Sequence, residues 1–306
     1  MNSFMTLLLI GLALLPNAKV AGWLATGLAE AGNLPNGIAQ PLAPSYKPVP
    51  VPTPTTTNPP PLALSAASWY AVDVGSGTVM ASNQADTPRP IASITKLATA
   101  LVIVHDYSPN QVVTVPPLPA YQPDDEVIGL KAGEQFTMRD LLTALLVNSA
   151  DDAADALALA DSGTEAAFVA KMNRAMSDWG VSGAHFSNPS GLVDTDNEVS
   201  ARAVAQLGLL VLHNQLIRQL VATPSATITD STGRRFTLTA TDQLLQHGQF
   251  QGIKTGYTAA AGQCFVGLAA VQGHQVVTVV LGSQDRFGDT LKLIDWIATN
   301  YQWHAP

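Results

Sequence analysis

The sequence predicts a mixed α/β (α+β) fold in which both ends of the chain share one antiparallel sheet and helices fill the middle. Three observations carry this. Near the front, Ser68-Trp-Tyr-Ala-Val-Asp-Val74 is rich in β-formers, Gly75-Ser-Gly77 turns the chain, and Thr78-Val-Met-Ala81 returns, which is the pattern of a hairpin. Through the middle, apolar residues recur at helical spacing. Towards the end, 263–271 and 275–281 are β-rich apolar runs joined by the tight turn Gln272-Gly-His274.

The elements between follow in order. A helix beginning near Ser93 is apolar on most faces (Leu97, Ala98, Ala100, Leu101, Val102, Val104), so it belongs in the interior. Thr137, followed three residues later by Asp140, resembles a capping box that opens a helix over 138–147. A second helix, 152–160, starts just after Ser149, and helical segments continue over 165–179 and 201–213. Strands are expected at 236–239 and 252–255. A final helix over 289–301 shows an apolar stripe of Leu291, Leu293, Ile294 and Ile297. No internal repeat is visible.

The first sixty residues differ from the rest. Residues 4–15 form a short apolar run ended by Pro16. It is too short for a comfortable membrane span and suits a signal-peptide core. It lacks a basic flank and an evident A-x-A cleavage site. A cleaved signal, an uncleaved anchor helped by 20–28, and a truncated start all remain open. Residues 41–61 are crowded with proline, which cannot donate ladder hydrogen bonds and favours extended polyproline II. The expected organisation is a signal peptide or membrane anchor over 1–30, a Pro/Thr-rich linker over 31–66, and a catalytic domain over 67–306.

Composition narrows the function. Charged residues make up 12% of the chain and the formal net charge is −8, so the basic footprint of a nucleic-acid binder is missing. A single cysteine, Cys264, rules out an intrachain disulfide framework. It lies in an apolar run without a basic neighbour, which reads as a buried structural thiol rather than a nucleophile. The six histidines include no H-E-x-x-H or close pair, so neither a metal nor another cofactor is expected. No G-x-S-x-G elbow occurs, which argues against a Ser-His-Asp hydrolase.

Three motifs carry the chemistry, in one order: Ser93-Ile-Thr-Lys96, Ser149-Ala-Asp151 and Lys254-Thr-Gly256. S-x-x-K alone is expected about once by chance in a chain of this length, so the joint order is what counts. A serine hydroxyl needs an adjacent base, and residues three apart on a helix lie on one face, so Ser93 and Lys96 can meet. Within an apolar helix a lysine is desolvated, which favours the neutral amine that acts as a base. A start-of-helix position puts the positive end of the helix dipole near an oxyanion forming at Ser93. Ser149, at a junction of two helices, can reach into a cleft. Lys254-Thr-Gly256 reads as an edge strand offering a charge and the Thr255 hydroxyl to a carboxylate, with Gly256 permitting close backbone approach.

This order resembles the serine-type D-Ala-D-Ala carboxypeptidases, the low-molecular-mass penicillin-binding proteins of peptidase family S11, which read S-x-x-K, S-x-N, K-T-G. Flanking words are also similar: Gly129-Leu-Lys-Ala-Gly133, His185-Phe-Ser-Asn-Pro-Ser-Gly-Leu192, and Tyr257-Thr258 with Ala261-Gly262. The resemblance runs from about residue 68 to 303. It implies a β-lactamase/transpeptidase-like fold, an antiparallel sheet flanked by helices plus a helical lobe, with the site in the cleft between. It implies Ser93 as nucleophile, Lys96 as base, Ser149 as proton relay, and Asp151, Lys254, Thr255, Gly256 and Tyr257 as substrate-binding residues. The backbone N–H groups of Ser93 and Tyr257 would form the oxyanion hole, and His185 would lie in a structural loop. The implied substrate is a peptidoglycan stem peptide ending in D-Ala-D-Ala, with β-lactams as acylating mimics, and so an exported protein of the cell envelope or exterior. A D,D-endopeptidase, a class A-like β-lactamase and an impaired wall-binding protein are the rival readings.

In one place the chain departs from the pattern. Asp151 stands where the family has Asn, and a carboxylate there would pair with Lys96 and favour its charged form. Asp242, in Thr-Asp-Gln-Leu-Leu, also occupies an expected Asn position.

Overall fold

The computed structural model describes residues 49–192 and 197–304. The expected signal or anchor and the front of the linker lie outside the described residues. In chain order the strands of the first half are β1 (Val51–Pro54), β2 (Ser68–Asp73), β3 (Val79–Asn83), β4 (Arg89–Pro90), β5 (Val112–Thr114), β6 (Gln135–Thr137) and β7 (Ala184–His185). Those of the second half are β8 (Glu198–Val199), β9 (Ser225–Thr229), β10 (Arg235–Thr239), β11 (Phe250–Thr258), β12 (Gly262–Val271), β13 (His274–Ser283) and β14 (Tyr301–His304). The helices are α1 (Lys96–Asp106), α2 (Met138–Val147), α3 (Asp151–Ser162), α4 (Glu165–Asp178), α5 (Ala201–His213), α6 (Gln215–Val221) and α7 (Arg286–Asn300).

The main sheet has the order β11-β12-β13-β2-β3 with every pairing antiparallel, so the front hairpin joins the C-terminal strands as expected. Its central strands alternate between two cores. Val277, Val279 and Leu281 belong to the large core with α1, α2, α3 and α5. Val276 and Val280 face a second cluster with Leu293, Ile294 and Ile297 of α7. β11 lies at the sheet edge, beside the helical lobe. Thr137 caps α2 with the reciprocal Asp140 bonds read from the sequence.

Several expectations change. The last helix starts earlier, at Arg286, capped by Asp285, and ends at Asn300. The four residues that follow form β14 instead of a helical end. β14 pairs with β1, inside the segment expected to be a free linker, and Thr55 N–H adds a bond to Asn300 O at 2.8 Å. Proline is tolerated there because an edge strand need not donate on its outer side. Leu62 and Leu64 then pack on the second core, and Asp289 accepts from the backbone N–H groups of Ser65 and Ala66. The folded region therefore begins ahead of residue 67. The hairpin β9–β10 is longer than the single strand expected, and the pair β5–β6 and helix α6 were not read from the sequence. Cys264 is fully buried, as expected, and burial pushes its thiol up to about 11.

Candidate active site

The first motif sits where the chain enters the helical lobe. Ala92–Thr95 is a 3-10 turn that runs directly into α1, so Ser93 precedes the α-helix and Lys96 begins it. Ala92 holds φ at +50°, an uncommon value for a residue with a side chain. Lys96 is fully buried. Its ammonium donates to Ser93 Oγ at 2.9 Å, to Asp151 Oδ1 at 2.6 Å and to the Ser190 carbonyl at 2.8 Å, which uses all three of its protons.

The second motif joins α2 to α3. Ser149 has φ +63°, the left-handed region, which costs about 1–3 kcal/mol and persists because the surroundings hold it. Its hydroxyl accepts from Lys254 Nζ at 2.9 Å. Asp151 opens α3 and is 2% exposed. Its second oxygen accepts from Glu126 N–H at 3.1 Å.

The third motif lies wholly within β11, which extends beyond the expected 252–255. Burial, and then the neighbouring Lys96 charge, push the Lys254 ammonium down. Thr255 shares a hydrogen bond with Thr241 through their hydroxyls. Gly256 is required: a Cβ there would stand 2.6 Å from the Ile91 carbonyl oxygen and 3.2 Å from Ser93 N. That close approach brings the β11 backbone against the turn holding Ser93. The side chain of Tyr257 is exposed beyond it, 64%. The structure thus brings the residues of all three motifs together.

Other residues complete the cleft without a motif to announce them. Arg286, the first residue of α7, donates through Nη1 to the Gly256 carbonyl at 2.9 Å, while its buried Nε has no partner. Burial pushes its guanidinium down. The loop carrying Ser190 is fixed by Asn197, whose Oδ1 accepts from Ser187 and Asn188 N–H and whose Nδ2 donates to Thr95 Oγ1 at 3.1 Å. Gly191, at φ +80°, passes so close to Ala92 that any Cβ would collide with its carbonyl. His185 sits in β7 opposite Glu198, a framework position. Asp242 N-caps a short turn through Oδ1, but its buried Oδ2 is unpartnered, and burial pushes its carboxyl up to about 6. Among the described residues no cluster suited to a metal ion occurs.

Fold and side chains together are those of a serine peptidase whose cleft carries lysines where others carry a histidine. The D-alanyl-D-alanine carboxypeptidase family model matches residues 53–285. D-alanyl-D-alanine carboxypeptidase DacB2 of Mycobacterium tuberculosis is 31% identical over 76% of this chain and 81% of its own. A D-alanyl-D-alanine endopeptidase of Pseudomonas aeruginosa is 30% identical over 79% and 80%. The crystal structure of a D-alanyl-D-alanine carboxypeptidase from Mycobacterium tuberculosis superposes with a TM-score of 0.72 at 30% identity, covering 79% of this chain and 94% of that one. The chain belongs to the D-alanyl-D-alanine carboxypeptidase family, peptidase S11, and has its transpeptidase-like fold.

Proposed function

We propose that the chain removes the terminal D-Ala of peptidoglycan stem peptides through an acyl-enzyme on Ser93. The observation that carries this is the 2.9 Å contact between Nζ of the fully buried Lys96 and the half-buried Ser93 Oγ. Ser93 Oγ attacks the carbonyl of the penultimate D-Ala while its proton passes to Lys96, whose ammonium has first given up one proton to solvent. The peptide C–N bond breaks, and the leaving amine takes that proton by way of Ser149. Water then attacks the ester. Its proton moves through Lys96 to Ser93 Oγ as the acyl bond breaks, releasing the shortened peptide as its acid. The N–H groups of Ser93 and Tyr257 suit the developing oxyanion, since Gly256, the residue before Tyr257, passes close to the Ser93 backbone. Thr255, Lys254 and Arg286 suit the terminal carboxylate of the substrate. That substrate lies outside the cell membrane, so the protein is exported, with 1–30 as signal or anchor.

Labelled penicillin tests the assignment on the full chain. The expected outcome is a stable adduct on the native protein, none on Ser93→Ala, and D-Ala release from a pentapeptide ending in D-Ala-D-Ala. No adduct on the native chain would favour a wall-binding protein, and rapid release of the adduct a β-lactamase. The similarity to an endopeptidase supports a second reading, cleavage of cross-links, which an assay on cross-linked dimers separates.

A further inference from the structure

Asp151 faces two ways. Oδ1 takes the Lys96 ammonium, and Oδ2 takes the Glu126 N–H, while its own N–H donates to the Glu126 carbonyl at 2.6 Å. Each oxygen is thus engaged by a donor inside the protein, and a carboxylate has no proton to offer a substrate carbonyl. The segment it grips, 121–130, borders the cleft and is held by three carboxylates of α3. Tyr121 donates to Asp155, and the N–H groups of Ile128, Gly129 and Leu130 converge on Asp152. Of the three, only Asp151 also touches the lysine beside Ser93.

We propose that Asp151 is a positioning residue that couples Lys96 to the 121–130 wall of the cleft, in place of a substrate contact. The inference rests on the proposed function for its catalytic half only. The charged and titratable groups facing Asp151 are Lys96 from α1, Lys254 from β11, Asp155 from its own helix, and Tyr121 and Glu126 from the wall. An amide at 151 keeps one acceptor oxygen and turns an NH2 towards a second donor, so one of the two contacts is lost. Removing the Lys96 charge leaves the carboxylate buried without a counter-charge and loosens the same wall.

Two readouts on the full chain test the coupling. Hydrogen exchange over 121–130 is followed in the native protein, Asp151→Asn, Lys96→Met and Asp152→Asn. The pH dependence of the second-order acylation rate by benzylpenicillin is followed in the native protein, Asp151→Asn and Asp152→Asn. Exchange is expected to quicken about five- to tenfold in all three variants, a loosening of the wall equivalent to about one hydrogen bond. The acidic limb of acylation is expected to move to lower pH in Asp151→Asn and to stay in Asp152→Asn. Native exchange rates in Asp151→Asn or Lys96→Met overturn the proposal. So does an unmoved limb in Asp151→Asn, or an equal movement in Asp152→Asn. Failure of the native chain to acylate would instead sink the proposed function, and the exchange comparison with Lys96→Met would still decide the coupling.

Discussion

Single residues here act through charge that is buried and answered. Lys96 and Lys254 are among the largest fully buried side chains, yet each ends on named oxygens. Asp242 differs from them, since one of its oxygens is unanswered, as is Arg286 Nε. Its carboxyl is raised above its ordinary 3.8 to about 6, so its contribution to stability is present below about pH 4 and lost as pH rises through 6. Asp242→Asn is therefore expected to raise the melting temperature by a few degrees at pH 7.5. The gain should vanish below pH 4, as thermal unfolding at the two pH values will show. Lys254→Ala should lower kcat/KM for a D-Ala-D-Ala peptide about a hundredfold, since a cation is removed from a water-poor cleft. The reacting side chains were legible because spacing places Ser93 and Lys96 together and strand context presents Lys254. The Ser190 carbonyl was not, because every residue has one. Nor was Arg286, whose place depends on how α7 returns to the sheet.

At the scale of elements, the cleft depends on β11 lying against the 3-10 turn that carries Ser93. Gly256→Ala puts a methyl 2.6 Å from a carbonyl oxygen that has no freedom to yield. It is expected to cost about 1–3 kcal/mol and to reduce acylation by more than tenfold, measured by denaturant unfolding and penicillin labelling. Native stability and labelling in that variant would mean that the two backbones are not pressed together. The long strands and apolar helices were legible from period and capping, as at Thr137–Asp140. The short pairs were not. β5–β6 is three residues a side, too brief for a period-two pattern to register, and β14 continues an apolar helical stripe without a break in sequence.

For the whole molecule, the boundary of the folded region is the main revision. Prolines at 52 and 54 read as a spacer, since the partner strand comes from the far end of the chain and leaves no local trace. Shortening the protein to begin at residue 67 is expected to lower the melting temperature by about 5–10 °C against one beginning at 49. Burial opposes it, but hydrogen bonds from Ser65, Ser283 and Ala66 hold the Asp289 carboxyl below its ordinary range. Its stabilising share is present above about pH 4 and fades as pH falls further, so the deficit of the shortened protein should shrink in acid. An equal melting temperature would mean that 49–66 merely rests on the surface. The same arrangement has a mechanical consequence. Tension on the chain ahead of residue 49 meets a two-stranded clasp and a few bonds to α7 before it meets the five-stranded sheet. Residues 51–66 can peel off in sequence and straighten to a chain about 50 Å long. The cleft, built from elements after residue 67, keeps its shape while its reach grows.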